Sequence, residues 1–146
     1  MTAISIISEH EAREALSLPC YGTRVPAGFP SPADDYMPRK LDLNEYLIQH
    51  PAATFYCRVN GESMQDLGIM DGCLLIVDRA EQYQNGSIVL AAINGDITCK
   101  ILDTGQRKLR SGNPKFPAID IPEELDVIIE GVVIHAINSY AGTGRL

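Results

Sequence analysis

From Thr54 onward the apolar positions follow strand periods. Thr54 to Val59 alternates and is rich in aromatic and β-branched residues. Leu74 to Val77 is a continuous apolar run, the pattern of a strand covered on both faces. Ser87 to Ile93 follows Asn85-Gly86, and Asp96 to Leu102 follows Asn94-Gly95, a strong two-residue hairpin signal. Gln106 to Ser111 reads as a polar strand, and an irregular loop runs from Gly112 to Pro117. Glu130 to Asn138 closes the series with Gly-Val-Val-Ile-His-Ala-Ile. Many short strands joined by Gly and Asn turns predict a mainly β fold class, a single body of partly closed or folded-over antiparallel sheet.

The N-terminal pattern differs. A short helix is expected at His10 to Leu18, where Ala12, Ala15 and Leu16 fit a 3.6 period. Prolines at 19, 26, 30, 32 and 38 then forbid a regular helix and favour extended geometry. Residues 1–40 are therefore read as an extended arm and 41–146 as the β-rich domain. Asp42-Leu43-Asn44-Glu45 has the form of a helix N-cap with a reciprocal partner three residues on. Leu43, Tyr46 and Leu47 form one apolar face, expected to pack on the body, and Pro51 stops the helix after His50.

Charge narrows the function. The chain of 146 residues carries −7 at neutral pH. No basic stripe is present, so direct nucleic-acid binding through phosphate neutralisation is not expected. Arg107, Lys108 and Arg110 read as the solvated face of a strand. No apolar run reaches membrane-spanning length. Met1 to Leu18 carries Glu9, Glu11 and Glu14 against one Arg13, unlike a signal peptide, so a cytoplasmic location is expected. Cys20, Cys57, Cys73 and Cys99 lack metal-ligand spacing. They are read as reduced thiols, the last three as small core residues, and no metal or cofactor is expected.

Two residues carry candidate chemistry. Ser63 stands in Gly61-Glu62-Ser63-Met64, at a Gly-marked turn leading toward a short helical segment. A serine hydroxyl needs a base to become a nucleophile. Lys100 is the only charged residue between Asp96 and Asp103. Free lysine is neutral in only roughly 4 of 10,000 molecules at pH 7. Lowering its pKa by about 3 units takes roughly 4 kcal/mol, which an apolar pocket can supply. The residues alone leave two readings open: a buried base beside a nucleophile, or a lysine snorkelling to solvent and a serine in an ordinary turn. His10, His50 and His135 offer no triad motif.

A resemblance decides between them. Gly61-Glu62-Ser63-Met64, then Asp66-Leu67-Gly68-Ile69 with Asp71-Gly72, then Leu75-Ile76-Val77-Asp78, resemble the LexA/UmuD family of self-cleaving serine–lysine peptidases. Thr98-Cys99-Lys100 looks like the strand bearing that family's lysine. Ala27-Gly28-Phe29-Pro30-Ser31-Pro32-Ala33 looks like the segment around the scissile bond of its UmuD branch. Leu43-Asn44, Pro51 to Thr54 and Gly131 to His135 also look like that branch, so the likeness spans roughly residues 24 to 138.

The resemblance implies Ser63 as nucleophile, Lys100 as general base and cleavage between Ala27 and Gly28. Backbone N–H groups of Glu62 and Ser63 are the candidate oxyanion hole. It implies a homodimer, activation by the RecA–single-stranded DNA filament in the SOS response, and a trimmed product serving a Y-family (UmuC-like) translesion DNA polymerase. Twenty-seven residues precede Gly28, too few for the DNA-binding domain of LexA-type repressors. Two departures stand out. Cys73 replaces a usual aspartate, and Pro26 removes one N–H from the extended substrate segment. The competing expectation is a non-enzymatic dimeric adaptor whose arm is a docking peptide.

Overall fold

The structure, a computed structural model, describes residues 15–22, 24–30, 38–123 and 127–141. They fall into two compact units, one up to Gln49 and one from His50 onward. In the first, β1 (Ser17–Tyr21) pairs antiparallel with β2 (Pro38–Asp42), with Ser17 opposite Asp42 and Tyr21 opposite Pro38. Strand β1 occupies the end of the segment expected to be helical at His10 to Leu18; the rest of that segment lies outside the described residues. Helix α1 (Leu43–Leu47) follows β2 directly, and the Asp42 side chain accepts the Asn44 N–H as its cap. No reciprocal bond from Glu45 is among those described. The helix ends four residues before Pro51, and Leu43 and Tyr46 are exposed, so its expected apolar face is not a buried one.

The second unit is the anticipated antiparallel body. Its strands are β3 (Thr54–Arg58), β4 (Leu74–Asp78), β5 (Ile88–Ile93), β6 (Asp96–Asp103), β7 (Lys108–Arg110), β8 (Ile119–Asp120) and β9 (Val127–Ile137). They form one seven-stranded sheet in the order β3-β4-β9-β5-β6-β7-β8. Strand β9 joins its two halves, pairing with β5 through Val127 to Val132 and with β4 through Val132 to Ile137. Register shifts opposite Ile76/Val77 and Leu90/Ala91 put an extra residue into β9 on each side. Such bulges bend a strand and sharpen its twist, which lets one strand serve both halves of a folded sheet.

The fold-over defines the core. Phe55 and Cys57 of β3, Leu75 and Val77 of β4, Leu90 of β5 and Cys99 and Ile101 of β6 belong to one cluster, so the sheet's two halves face each other there. Val89, Ala91, Leu102 and Leu109 form a second cluster from the alternate positions. Gly131 of β9 lies against Val77 and Asp78 of β4. A Cβ there would lie 2.6 Å from Val77 Cγ1, so a larger residue would force the strands apart. Cys57, Cys73 and Cys99 are free thiols in the first cluster, as expected.

One polar anchor ends β4. Asp78 is 1% exposed, and its Oδ2 lies 2.6 Å from His50 Nδ1 while Oδ1 accepts the Ala80 N–H at 2.8 Å. Burial pushes this carboxyl up, but the His50 hydrogen bond, the Ala80 N–H and the His50 charge together hold it below its ordinary 3.8. Being ionised, it only accepts, so His50 Nδ1 carries the hydrogen. Asp78→Asn is expected to cost about 2 kcal/mol at neutral pH, read as a melting temperature lower by roughly 5–10 °C. Because the folded pKa is depressed, this stability is complete well above 3.8 and is lost as pH falls through the lower folded value. The parent's advantage over the variant should therefore shrink in acid.

Candidate active site

The loop between β3 and β4 carries Ser63, and its base is tied shut. Val59 N–H donates to Cys73 C=O at 2.9 Å and Gly72 N–H to Val59 C=O at 2.8 Å, extending the β3–β4 ladder. Gly61 has a φ of 105°, a conformation open to glycine, and its N–H donates to Asp71 Oδ1 at 2.8 Å. Inside the loop, Met64 and Ile69 are each 2% exposed and plug the first core cluster. Burying each side chain contributes about 2 kcal/mol. A 3-10 turn over Gln65–Leu67 spaces the two plugs and ends at Gly68. Ser63 thus precedes a residue that cannot move without opening the core.

Lys100 comes from β6, paired along β5 with Val89 opposite it. Its Nζ donates to Ser63 Oγ at 2.8 Å and to the Cys99 carbonyl at 3.3 Å. Lys100 is 7% exposed. Burial pulls its ammonium below the ordinary 10.5, against a weaker opposing pull from Cys99. Among the described residues, no carboxylate lies within ion-pair distance of it. Burial also pushes the Cys99 thiol up to about 11, so at neutral pH it is no anionic partner for the lysine. Burial therefore makes the uncharged amine easier to reach than in free lysine, at the one atom placed to take the serine proton.

A cleft of about 430 Å³ opens beside Ser63, with Phe55, Cys57, Val59, Leu75, Leu90 and Cys99 among its walls. Ala27 and Gly28 lie in the first unit, within a bend at residues 27–29, and both are exposed. A Cβ on Gly28 would meet nothing within 4 Å, so packing in this structure does not require glycine there. Ser31, Pro32 and Ala33 of the same motif lie outside the described residues, as does His10. His135 sits in β9 opposite Ile76, and His50 is engaged by Asp78, so neither belongs to the serine pair. His50, Asp78 and Glu81 hold their ligand atoms within 4.8 Å of one another, though the His50–Asp78 bond already accounts for that grouping.

Sequence reasoning passed over the loop after β7. Gly112 N–H donates to the Ser63 carbonyl at 2.7 Å, and Asn113 Nδ2 donates to the Glu62 carbonyl at 3.0 Å. Arg110, read as part of a solvated face, binds Asp103 Oδ2 at 2.6 Å and Gln106 Oε1 at 2.7 Å and so fastens β7 to β6. No helix among the described residues is long and apolar enough to cross a membrane.

The chain is similar to known proteins over most of its length. The family model described as Peptidase S24-like matches residues 19–134. Protein ImpA of Salmonella typhimurium is 47% identical over 123 residues, 82% of this chain and 83% of the relative. Protein MucA of Escherichia coli is 42% identical over 136 residues, 92% of this chain and 93% of the relative. LexA repressor of Photobacterium profundum is 36% identical over 137 residues, 91% of this chain and 70% of the relative. With a family match over most of its length and relatives of this identity, the chain belongs to the Peptidase S24-like group, the LexA/UmuD family that its serine and lysine motifs resemble.

Proposed function

We propose that this chain is a serine endopeptidase that cuts its own arm between Ala27 and Gly28, with Ser63 as nucleophile and Lys100 as general base. The observation that carries the reading is a buried lysine amine 2.8 Å from a serine hydroxyl, with no carboxylate in ion-pair reach among the described residues. With Lys100 neutral, the direction of that hydrogen bond reverses and Oγ–H donates to Nζ. Nζ takes the proton as Oγ bonds to the Ala27 carbonyl carbon. The oxyanion that forms is received by the N–H groups of Glu62 and Ser63. Its collapse breaks the bond to the Gly28 nitrogen, which leaves as an amine with the proton from Lys100. Water, deprotonated by Lys100, then releases the acyl group from Ser63. The unpacked glycine at 28 gives the nucleophile close access.

Family membership supports the wider reading. The chain acts as a cytoplasmic homodimer in the SOS response. The RecA–single-stranded DNA filament favours the cut-competent pose and raises its population. The trimmed product is an accessory subunit of an error-prone Y-family, UmuC-like translesion polymerase. Residues 1–27 carry Glu9, Glu11 and Glu14 against Arg13 and Arg24, a net −1 of the chain's −7. Cutting therefore hardly alters the field, so it does not act by reversing charge. It also severs the covalent link between β1 and β2, which lie on opposite sides of residues 27 and 28. A two-stranded ribbon is marginal in water, so fragment 1–27 should separate from the rest.

The test is intact mass before and after incubation of the purified chain at about pH 10, where neutral lysine is abundant. The expected product begins at Gly28. A chain that stays whole, with and without the RecA filament, favours the adaptor reading instead.

A further inference from the structure

The segment after β7 takes no part in the chemistry above, yet it grips the backbone on both sides of Ser63. The Ser63 carbonyl accepts from Gly112 N–H at 2.7 Å and from Ser111 Oγ at 2.5 Å. The Glu62 carbonyl accepts from Asn113 Nδ2 at 3.0 Å. The grip is returned by Asp66 N–H, which donates to the Gly112 carbonyl at 2.8 Å. Asn113 is 9% exposed, and its Oδ1 accepts the Lys115 N–H at 3.0 Å. That second bond fixes the amide, so Nδ2 must face Glu62.

We infer that Ser111 and Asn113 are positioning residues for Ser63, an inference that rests on the serine–lysine reading. A peptide group is planar, and its C=O and following N–H point opposite ways. Holding the Glu62 carbonyl therefore aims the Ser63 N–H, a candidate oxyanion donor. Holding the Ser63 carbonyl fixes the next peptide plane. With both planes set, the hydroxyl keeps only its χ1 rotation, and Lys100 selects the rotamer. Gly112 permits the close approach. A Cβ there would stand 3.2 Å from Met64 Cα, a backbone atom next to the nucleophile, and 3.1 Å from Leu67 Cγ.

The segment is placed to do this by β7, whose Arg110 pairs with Ile101 of β6, one residue beyond Lys100. Base and clamp thus issue from neighbouring positions of adjacent strands. A shift in either strand would change the lysine–serine distance, and the clamp ties the serine to the same ladder.

The experiment uses the full chain and two readouts: self-cleavage, and labelling of Ser63 by a small fluorophosphonate, which needs no arm. Asn113→Asp removes the donor to Glu62 but keeps Oδ1. Ser111→Ala removes one hydroxyl and keeps the Gly112 bond; Ser111→Thr restores the hydroxyl. We expect Asn113→Asp and Ser111→Ala to lower the alkaline plateau of both rates about 10- to 100-fold. In Ser111→Ala the pH midpoint, set by the burial of Lys100, stays where the parent has it, and Ser111→Thr keeps most of the parent rate. Asn113→Asp, which adds a carboxylate near the lysine, is scored on its plateau alone. A role confined to stability would lower the melting temperature and leave the plateau rates of folded protein alone. Parent-like plateau rates in both variants, or a moved midpoint in Ser111→Ala, overturn the positioning role while the serine–lysine reading stands. If Asn113→Asp does not fold, the Ser111 pair decides. A parent chain that neither cuts nor takes the probe overturns the serine–lysine reading, and this inference with it.

Discussion

Ser63→Ala, Lys100→Ala and Lys100→Arg chains are expected to remain whole under alkaline conditions that cut the parent at Ala27–Gly28. The three lose activity for different reasons. Ser63→Ala has no nucleophile. Lys100→Ala keeps the hydroxyl but loses the base, worth about 10²- to 10⁴-fold in rate. Lys100→Arg fills similar space, but a guanidinium is never deprotonated in this pH range and cannot accept the proton. Stability should move the other way. The Lys100 ammonium is nearly buried and is satisfied only by Ser63 Oγ and the Cys99 carbonyl among the described bonds. Lys100→Met replaces that charge with an apolar chain of similar length and should raise the melting temperature at neutral pH, by the equivalent of about 1 kcal/mol or more. Intact mass and a thermal melt read both effects. A Lys100→Arg chain that cuts at the parent's rate removes the lysine from the mechanism.

The body was legible because its signals are local. Asn94-Gly95 set the β5–β6 hairpin, and the ladder runs from Ile93 opposite Asp96 to Ile88 opposite Ile101. The apolar run at Leu74 to Val77 became β4, whose last four residues are all buried. The ribbon of β1 and β2 escaped notice because Pro19 and Pro38 rule out helix and favour an extended arm, with no pairing assigned to it. In a two-stranded ribbon, each strand has an open side on which a missing N–H costs nothing. Strand β8, two residues long, is too short to show a period. The Asp42 cap could be read, but a helix of five residues has too few turns to define a buried face. At the site, residue pattern alone left Lys100 between base and snorkelling side chain, and resemblance to the family tipped the reading. Ser111 and Asn113 stayed invisible because a side chain that binds a distant backbone carbonyl follows no period. His50 and Asp78 were missed for the same reason, since 28 positions separate them.

The rate of unassisted cutting should climb about tenfold per pH unit and then level off, because only neutral Lys100 is competent. The bend marks the lysine's folded pKa. Burial holds that value below 10.5, so levelling must begin before the pH at which an ordinary lysine is half neutral. The same shift links to stability. Between the folded pKa and 10.5 the unfolded chain binds the extra proton, so this group's contribution to stability rises with pH across that window. It is complete above 10.5 and lost as pH falls through the folded value. Acid therefore works against both cutting and this contribution, whereas Lys100→Met should lose that dependence. The fluorophosphonate rate at Ser63 should bend at the same pH as self-cleavage, since one amine governs both. Two separate midpoints would mean that arm docking, not the base, sets the profile, and a rate flat from about pH 6 to pH 10 leaves no proton for a lysine of this kind to have lost.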